Sequence, residues 1–149
     1  VDSRYIRKFM DVPYQNNDAS NNFPIIRYSD VVLMYAEALN MNGKTAQACN
    51  YLNMTRRRGF GYQTTESTPV DLFTSSKEEF ILLSEQERRV ELAFENHRWF
   101  DLIRTGRAVE VMKSKGFSLN ETNLICPIPQ KQIDVNPKLT QNEYKIEPK

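Results

Sequence analysis

The chain has 149 residues, with 20 lysines and arginines against 19 aspartates and glutamates, and a formal net charge of +1. Its length and its 40% hydrophobic content are sufficient for one domain with a buried core. So small a net charge produces no basic field, so we expect neither nucleic acid nor an anionic membrane surface as a partner. His97 is the sole histidine, which excludes sites built from several imidazoles, and we expect no metal and no cofactor.

Two cysteines, Cys49 and Cys126, are too few for a disulfide framework and lack metal-binding spacing, although one disulfide between them stays possible. No apolar run approaches the ~20 residues that a helical membrane span requires. No secretory leader opens the chain, which begins at Val1 rather than at Met. We therefore expect the sequence to be a fragment of a longer protein.

The first regular element is predicted at about residues 30–42, where apolar side chains recur at helical spacing ahead of Gly43. An amide-rich stretch at 15–22 before it predicts a surface loop. A second helix is predicted with Thr45 as its N-cap and an end near Arg57. The short connection makes the two helices antiparallel neighbours, and their interleaved alanines are typical of a tetratricopeptide-like hairpin.

After a loop at 59–75, capping signals at Ser75 and Ser76 predict a long helix that continues to about Glu95. Asn96 is expected to break it, because asparagine tolerates the left-handed conformation. Shorter helices are predicted at 99–104, 107–114 and 130–134. The prolines at 127 and 129 exclude helix there, and a coil is expected to end the chain. The predicted class is mainly α.

Charged residues between 87 and 104 follow one another at steps of mostly three or four: Glu87, Arg88, Glu91, Glu95, Arg98, Asp101 and Arg104. One interpretation is a solvated face, with pairs worth ~0.2–0.5 kcal/mol each. The interpretation we favour is a structural ion network that is partly buried by the flanking aromatics. In it Arg88 and Arg98 contact Glu91, Glu95 or Asp101 and fix how two helices dock. Trp99 is expected in the core.

A third interpretation is a glycoside-cleaving carboxylate pair, Glu91 with Asp101. Each of these acids has an arginine within reach in the sequence, and such a neighbour favours the ionised carboxylate over a proton donor. We therefore expect no catalytic residue.

Four ordered blocks of the sequence resemble the SusD/RagB family. They are FPIIRYSDVVLMYAEALN at 23–40, LNMTRRR at 52–58, ERRVELAFENHRWFDLIRTG at 87–106, and PIP at 127–129 with NPKLTQN at 136–142 before Tyr144. Asn96 stands where the family usually has glycine. The match is to the C-terminal third of such proteins, so the whole chain is expected to be one C-terminal SusD/RagB-like domain with the SusD-like α-helical fold.

The resemblance implies a non-enzymatic outer-membrane lipoprotein on the cell surface. Such proteins bind glycans or other nutrients and cooperate with a SusC-like TonB-dependent transporter in uptake. Their contact with the membrane is through an N-terminal lipidated cysteine, a position that neither Cys49 nor Cys126 occupies. A tetratricopeptide-type adaptor for other proteins is the alternative, and a glycoside hydrolase is a weaker one.

Candidate ligand contacts follow from what sugar recognition requires. Aromatic faces stack on pyranose rings while polar side chains reach the hydroxyls. Phe60 and Tyr62 in the 59–75 loop, and Tyr14 among its amides, have this composition. The alternative for each is ordinary surface or interface packing.

Overall fold

The structure is a computed structural model that describes residues 6, 8–10 and 21–143. Over these residues it is helical and contains no strand, which confirms the predicted class. The helices are α1 (Tyr28–Met41), α2 (Thr45–Gly59), α3 (Lys77–Glu91), α4 (His97–Arg104), α5 (Ala108–Ser114) and α6 (Gln130–Val135), with a 3₁₀ turn at Glu121–Leu124. The chain divides into two compact units, Val1–Ser84 and Glu85–Lys149, and the boundary falls within α3.

The first unit is built on the predicted hairpin, in which α1 packs against α2. Gly43 adopts a φ of 73° in the connection, a conformation that a β-carbon disfavours. Thr45 is not the N-cap, because Lys44 holds that position and Thr45 is already the first residue of α2. Its hydroxyl instead donates to Asn40 Oδ1 at 2.8 Å. Thr45 therefore ties the two helices together rather than capping one.

The core of the first unit lies between α1, α2 and the start of α3. Its buried residues are Ala36, Leu39, Ala48, Cys49, Leu52 and Phe80. The alanines let the helix axes approach, and the fully buried ring of Phe80 fills the space beside them. Asn40, also fully buried, donates to the Lys77 carbonyl at 3.1 Å and so positions the start of α3.

A polar face of α2 holds residues 70–74, which we call the strap. Asn53 Nδ2 donates to the Leu72 carbonyl and Asn53 Oδ1 accepts from the Leu72 N–H, both at 2.9 Å. Arg56 Nε donates to the Val70 carbonyl at 2.6 Å, and Cys49 Sγ lies 3.7 Å from the Thr74 carbonyl. The strap therefore runs antiparallel to α2, since helix positions 49, 53 and 56 contact strap positions 74, 72 and 70.

The third helix ends earlier than predicted. It stops at Glu91, and a turn at 92–96 replaces the last four predicted residues. Phe94 and Asn96 have φ values of 67° and 63°, which cannot continue a right-handed helix. The left-handed break predicted at Asn96 is confirmed, but Phe94 adds a second one before it. Leu92 and Phe94 extended the apolar pattern of the sequence past Glu91, but in the structure Leu92 is buried in the turn and Phe94 is exposed.

The prediction that Trp99 lies in the core is wrong. Trp99 is on the exposed side of α4, with 36% of its surface accessible, whereas Asp101 and Leu102 are buried. The buried residues of α4 are instead Leu102, which is apolar, and Asp101, whose ion pairs are described below.

The C-terminal part of the second unit follows the predictions closely. No helix covers 126–129, and α6 begins directly after Pro129. Gln141 both accepts from the Ile128 N–H at 2.8 Å and donates to the Ile128 carbonyl at 2.9 Å. Asn142 donates to the Cys126 carbonyl at 2.8 Å, so amide side chains hold this irregular segment.

Both thiols are free, with Cys49 buried and Cys126 exposed. Among the described residues, no helix combines the length and apolar character needed to cross a bilayer.

We predict that Asn53→Ala destabilises the protein by about 1–3 kcal/mol, since it leaves the partly buried N–H and carbonyl of Leu72 without their Asn53 partner. Asn50→Ala is the matched control, because Asn50 is an exposed residue of the same helix. Its loss should change the free energy of unfolding by less than about 0.5 kcal/mol. Urea unfolding followed by circular dichroism measures both. Equal effects would show that the strap does not depend on Asn53.

Candidate functional site

The loop that follows α2 presents two of the predicted ligand contacts to solvent. Phe60 and Tyr62 expose 59% and 46% of their surfaces. Gly61 between them has a φ of 81°, which glycine adopts without strain. The Tyr62 N–H donates to the Arg57 carbonyl at 2.9 Å, so the last turn of α2 sets the path of the loop. We refer to residues 59–69 as the display loop.

An ion pair between Arg57 and Asp71 anchors the display loop to α2. Arg57 Nε donates to Asp71 Oδ1 at 2.8 Å, and a second guanidinium nitrogen donates to Oδ2. The third donates to the Thr64 carbonyl at 2.9 Å. Thr68 closes the far end, its hydroxyl donating to Asp71 Oδ1 at 2.8 Å. Since the Arg57 and Asp71 side chains are 8% and 2% exposed, this is a buried, bidentate pair.

The electrostatics of the pair are mutually reinforcing. The hydrogen bond from Arg57 holds the pKa of Asp71 far below its ordinary value of 3.8, outweighing the opposing effect of burial, and Thr68 adds to the lowering. The hydrogen bond to Asp71 likewise raises the pKa of Arg57. Both groups are charged at neutral pH, so neither is available for proton transfer.

Arg56 orients Phe60. Its guanidinium lies over the Phe60 ring, 5.1 Å from the ring centroid, while its Nε donates to the strap carbonyl of Val70. One face of the ring is therefore taken by a cation that is itself held in place. Tyr14, the third predicted contact, lies outside the described residues.

A small pocket lies between the N-terminal turn of α1, the C-terminal part of α2 and the display loop. Its volume is about 100 Å³. It is lined by Tyr28, Ser29, Val32, Met54, Thr55, Arg58 and Thr64. None of these residues was predicted to contact a ligand, because they come from three separate segments of the chain. We call this cavity the α1–α2 pocket.

In the second unit, Asp101 is the centre of the predicted ion network. Arg88 Nε from α3 donates to Asp101 Oδ2 at 2.8 Å, and Arg104 Nε donates to Oδ1 at 2.9 Å. The side chains of Arg88 and Asp101 are 6% and 9% exposed, whereas Arg104 is 44% exposed. The Arg88 pair therefore joins α3 to α4 in a buried setting, and the Arg104 pair lies at the surface.

Arg98 has a different partner from those predicted. Instead of Glu91, Glu95 or Asp101, it donates to Glu85 Oε1 at 3.0 Å. Arg107, at the N-terminal end of α5, approaches the other oxygen of Glu85 at 3.1 Å. Glu85 thus bridges two arginines, one in α4 and one just before α5. It escaped the sequence analysis because it lies outside the run of charges between 87 and 104.

The remaining network residues are Glu87, Glu91 and Glu95. Glu87 and Glu95 are buried, Glu91 is half-buried, and each takes part in a polar or charged contact. Asp101 accepts from two arginines, so the proposed pair of Glu91 and Asp101 does not consist of two unengaged carboxyl groups. Within the described part of the chain, no cluster of three or more histidine, cysteine or acidic residues could hold a metal ion.

Comparison with known proteins gives a consistent result. The model of the SusD family matches residues 2–144. SusD-like protein P38 of Formosa agariphila is 34% identical over 92% of this chain, and SusD-like proteins P25 and P2 of the same organism are 30% and 31% identical over 93% and 84% of it. The aligned region covers only 27%, 28% and 26% of these relatives, so the chain spans about a quarter of their length.

We predict that Asp71→Asn lowers the melting temperature by several degrees at pH 7. Because the pKa of Asp71 is lower in the folded protein than its ordinary 3.8, the stabilisation is complete above that pH and is lost as the pH falls below it. The difference from wild type should therefore shrink as the pH is lowered below 3.8. Glu66→Gln, an exposed change in the same loop, is the control. A difference that stays constant with pH would contradict the prediction.

We further predict that Arg88→Met costs about 3–5 kcal/mol of stability, because it leaves the buried carboxylate of Asp101 without its buried partner. Arg104→Met removes the exposed partner of the same carboxylate and should cost about 0–1 kcal/mol. Guanidinium unfolding of the two variants provides a matched comparison. If both variants lose almost no free energy of unfolding, the charged residues form a solvated face rather than a buried network.

Proposed function

The chain belongs to the SusD family, and on that premise we propose that the protein is a non-catalytic, cell-surface binding protein for glycans. We further propose that it works with a SusC-like TonB-dependent transporter in nutrient uptake. We place it at the outer membrane. A lipid anchor in sequence outside this chain would attach it there. Family membership supports this role.

The observation that carries the proposal is the construction of the display loop. Phe60 and Tyr62 present aromatic surface to solvent from a loop whose backbone is tied to α2 by the buried Arg57. An aromatic side chain that is already held in place loses little conformational freedom when a sugar ring stacks on it. Binding to it therefore costs less entropy than binding to a mobile side chain. We propose Phe60, Tyr62 and Tyr14 as ligand contacts.

The engagement of the charged residues supports a non-catalytic role. Hydrolysis of a glycoside requires one carboxyl group that donates a proton and another that attacks or activates water. Asp71 and Asp101 both accept hydrogen bonds from arginines, so their carboxylate oxygens are engaged within the scaffold. We propose that these acids stabilise the scaffold.

A protein-binding adaptor is the second candidate, and one observation favours it. The face of α1 turned away from the core is apolar, and its exposed members are Tyr28, Val31, Met34, Tyr35 and Met41. A helix that is apolar on both sides usually has a neighbour on each. A tetratricopeptide-type unit would use such a face to dock another helix.

Affinity electrophoresis in gels containing a panel of polysaccharides tests the first proposal. We predict that at least one glycan retards the protein, and that Tyr62→Ala or Phe60→Ala weakens this binding about tenfold, or ~1.4 kcal/mol. Phe73→Ala is the control, because Phe73 is an exposed aromatic outside the display loop. Circular dichroism confirms that each variant is folded.

Two results would contradict the proposal. Release of reducing ends that Glu91→Gln abolishes would establish a hydrolase. Absence of retardation in every gel, together with binding of amphipathic helical peptides that Met34→Asp prevents, would establish the adaptor.

A further inference from the structure

Most of the surface that lines the α1–α2 pocket belongs to carbon atoms, although polar and charged residues also contribute to it. Val32 and Thr55, two of its lining residues, are buried, with 6% and 4% of their surfaces exposed. Tyr28 is 74% exposed and stands at the mouth. A mainly apolar recess beside an exposed aromatic ring suits a ligand in which a small apolar substituent is attached to a polar ring.

The walls of the pocket are held by contacts already in place. Thr64 belongs to the display loop, and its carbonyl accepts from Arg57. Ser29 Oγ accepts from Arg27 Nη1 at 2.8 Å. Because these groups are positioned before any ligand binds, the pocket is preformed rather than induced. It also shares a wall with the loop that carries Phe60 and Tyr62.

The size of the pocket limits what can enter. About 100 Å³ is well below the ~300–1,000 Å³ typical of cavities that enclose a whole small molecule. A single substituent fits, and the rest of the ligand stays outside against Tyr28. A hydroxyl group that entered would leave its water partners for a carbon-lined space, which is unfavourable. A methyl group would gain by leaving water.

We propose that the α1–α2 pocket is a subsite for a methyl-bearing sugar unit, with the methyl group inside and the sugar ring against Tyr28. Two kinds of sugar carry such a group, namely 6-deoxy sugars at C6 and N-acetyl sugars on the acetamide. This inference rests on the proposed glycan-binding function and adds to it a preference among sugars. It also makes Tyr28 a binding residue.

Matched pairs of sugars test the preference directly. L-Fucose and L-galactose differ only by the hydroxyl at C6, and N-acetylglucosamine and glucose differ at the acetamide. With methionine methyl groups labelled with carbon-13, Met54 reports on the pocket by NMR, and Met54→Leu assigns its signal. We expect the Met54 signal to shift with L-fucose or N-acetylglucosamine, and the methyl-bearing sugar of that pair to bind about fourfold tighter than its counterpart.

Two variants and one control connect the signal to the pocket. Tyr28→Ala removes the exposed ring and should weaken binding of the preferred sugar severalfold. Thr64→Leu fills the pocket while keeping the carbonyl that Arg57 requires, and it should abolish the Met54 shift. Phe73→Ala, which changes a residue that does not line the pocket, should leave both the binding and the Met54 shift unchanged.

The outcomes separate the pocket from the loop. No Met54 shift with any sugar, in a protein whose retardation by a polysaccharide depends on Tyr62, would overturn the subsite and leave the proposed function standing. Shifts of equal size and affinity within each pair would overturn the methyl preference. A stronger response to N-acetyl-leucinamide than to either methyl-bearing sugar would also overturn it, by identifying an apolar side-chain site. Met54 shifts that depend on the methyl group, in a protein that no polysaccharide retards, would support the proposed subsite and contradict glycan binding by the display loop.

Discussion

The buried pair of Arg57 and Asp71 is the interaction on which the surface of the first unit depends. One guanidinium satisfies a carboxylate at the start of the strap and a carbonyl at Thr64 in the display loop. A loop of this length would otherwise have many conformations, and ordering it costs conformational entropy. The pair offsets that cost with charge-assisted hydrogen bonds, and the resulting loop both presents Tyr62 and forms a wall of the α1–α2 pocket.

The α2 helix has two different faces, and this division organises the unit. Its apolar face, with Ala48 and Leu52, packs on α1 and forms the core. Its polar face, with Asn53 and Arg57, binds backbone and carboxylate groups of a segment without regular structure. An irregular segment has no partner strand or helical turn for its N–H and carbonyl groups, so side chains of α2 supply them. The second unit uses the same principle, where Gln141 satisfies the backbone of Ile128.

The network around Asp101 shows which ion pairs the spacing of charged residues in the sequence can predict and which it cannot. Spacing of three and four predicted one continuous ladder of charges between 87 and 104, but Asp101 and Arg104 are three apart whereas Arg88 and Asp101 are thirteen apart. The turn that follows α3 places Arg88 and Asp101 on different helices, and it brings Arg98 to Glu85. Positive φ at Phe94 has no sequence signal, since a bulky residue rarely adopts it.

The amino-acid sequence by itself determined the helical class, the hairpin of α1 and α2, the absence of helix at 126–129 and membership of the family, because each depends on residues close together in the chain. The tertiary structure alone decided which face of α4 is buried, which acid each arginine contacts, and that Tyr28, Met54 and Thr64 line one pocket. Those features join side chains from separate segments. Periodicity along one segment carries no information about the distance to another, so packing and electrostatics had to be seen in three dimensions.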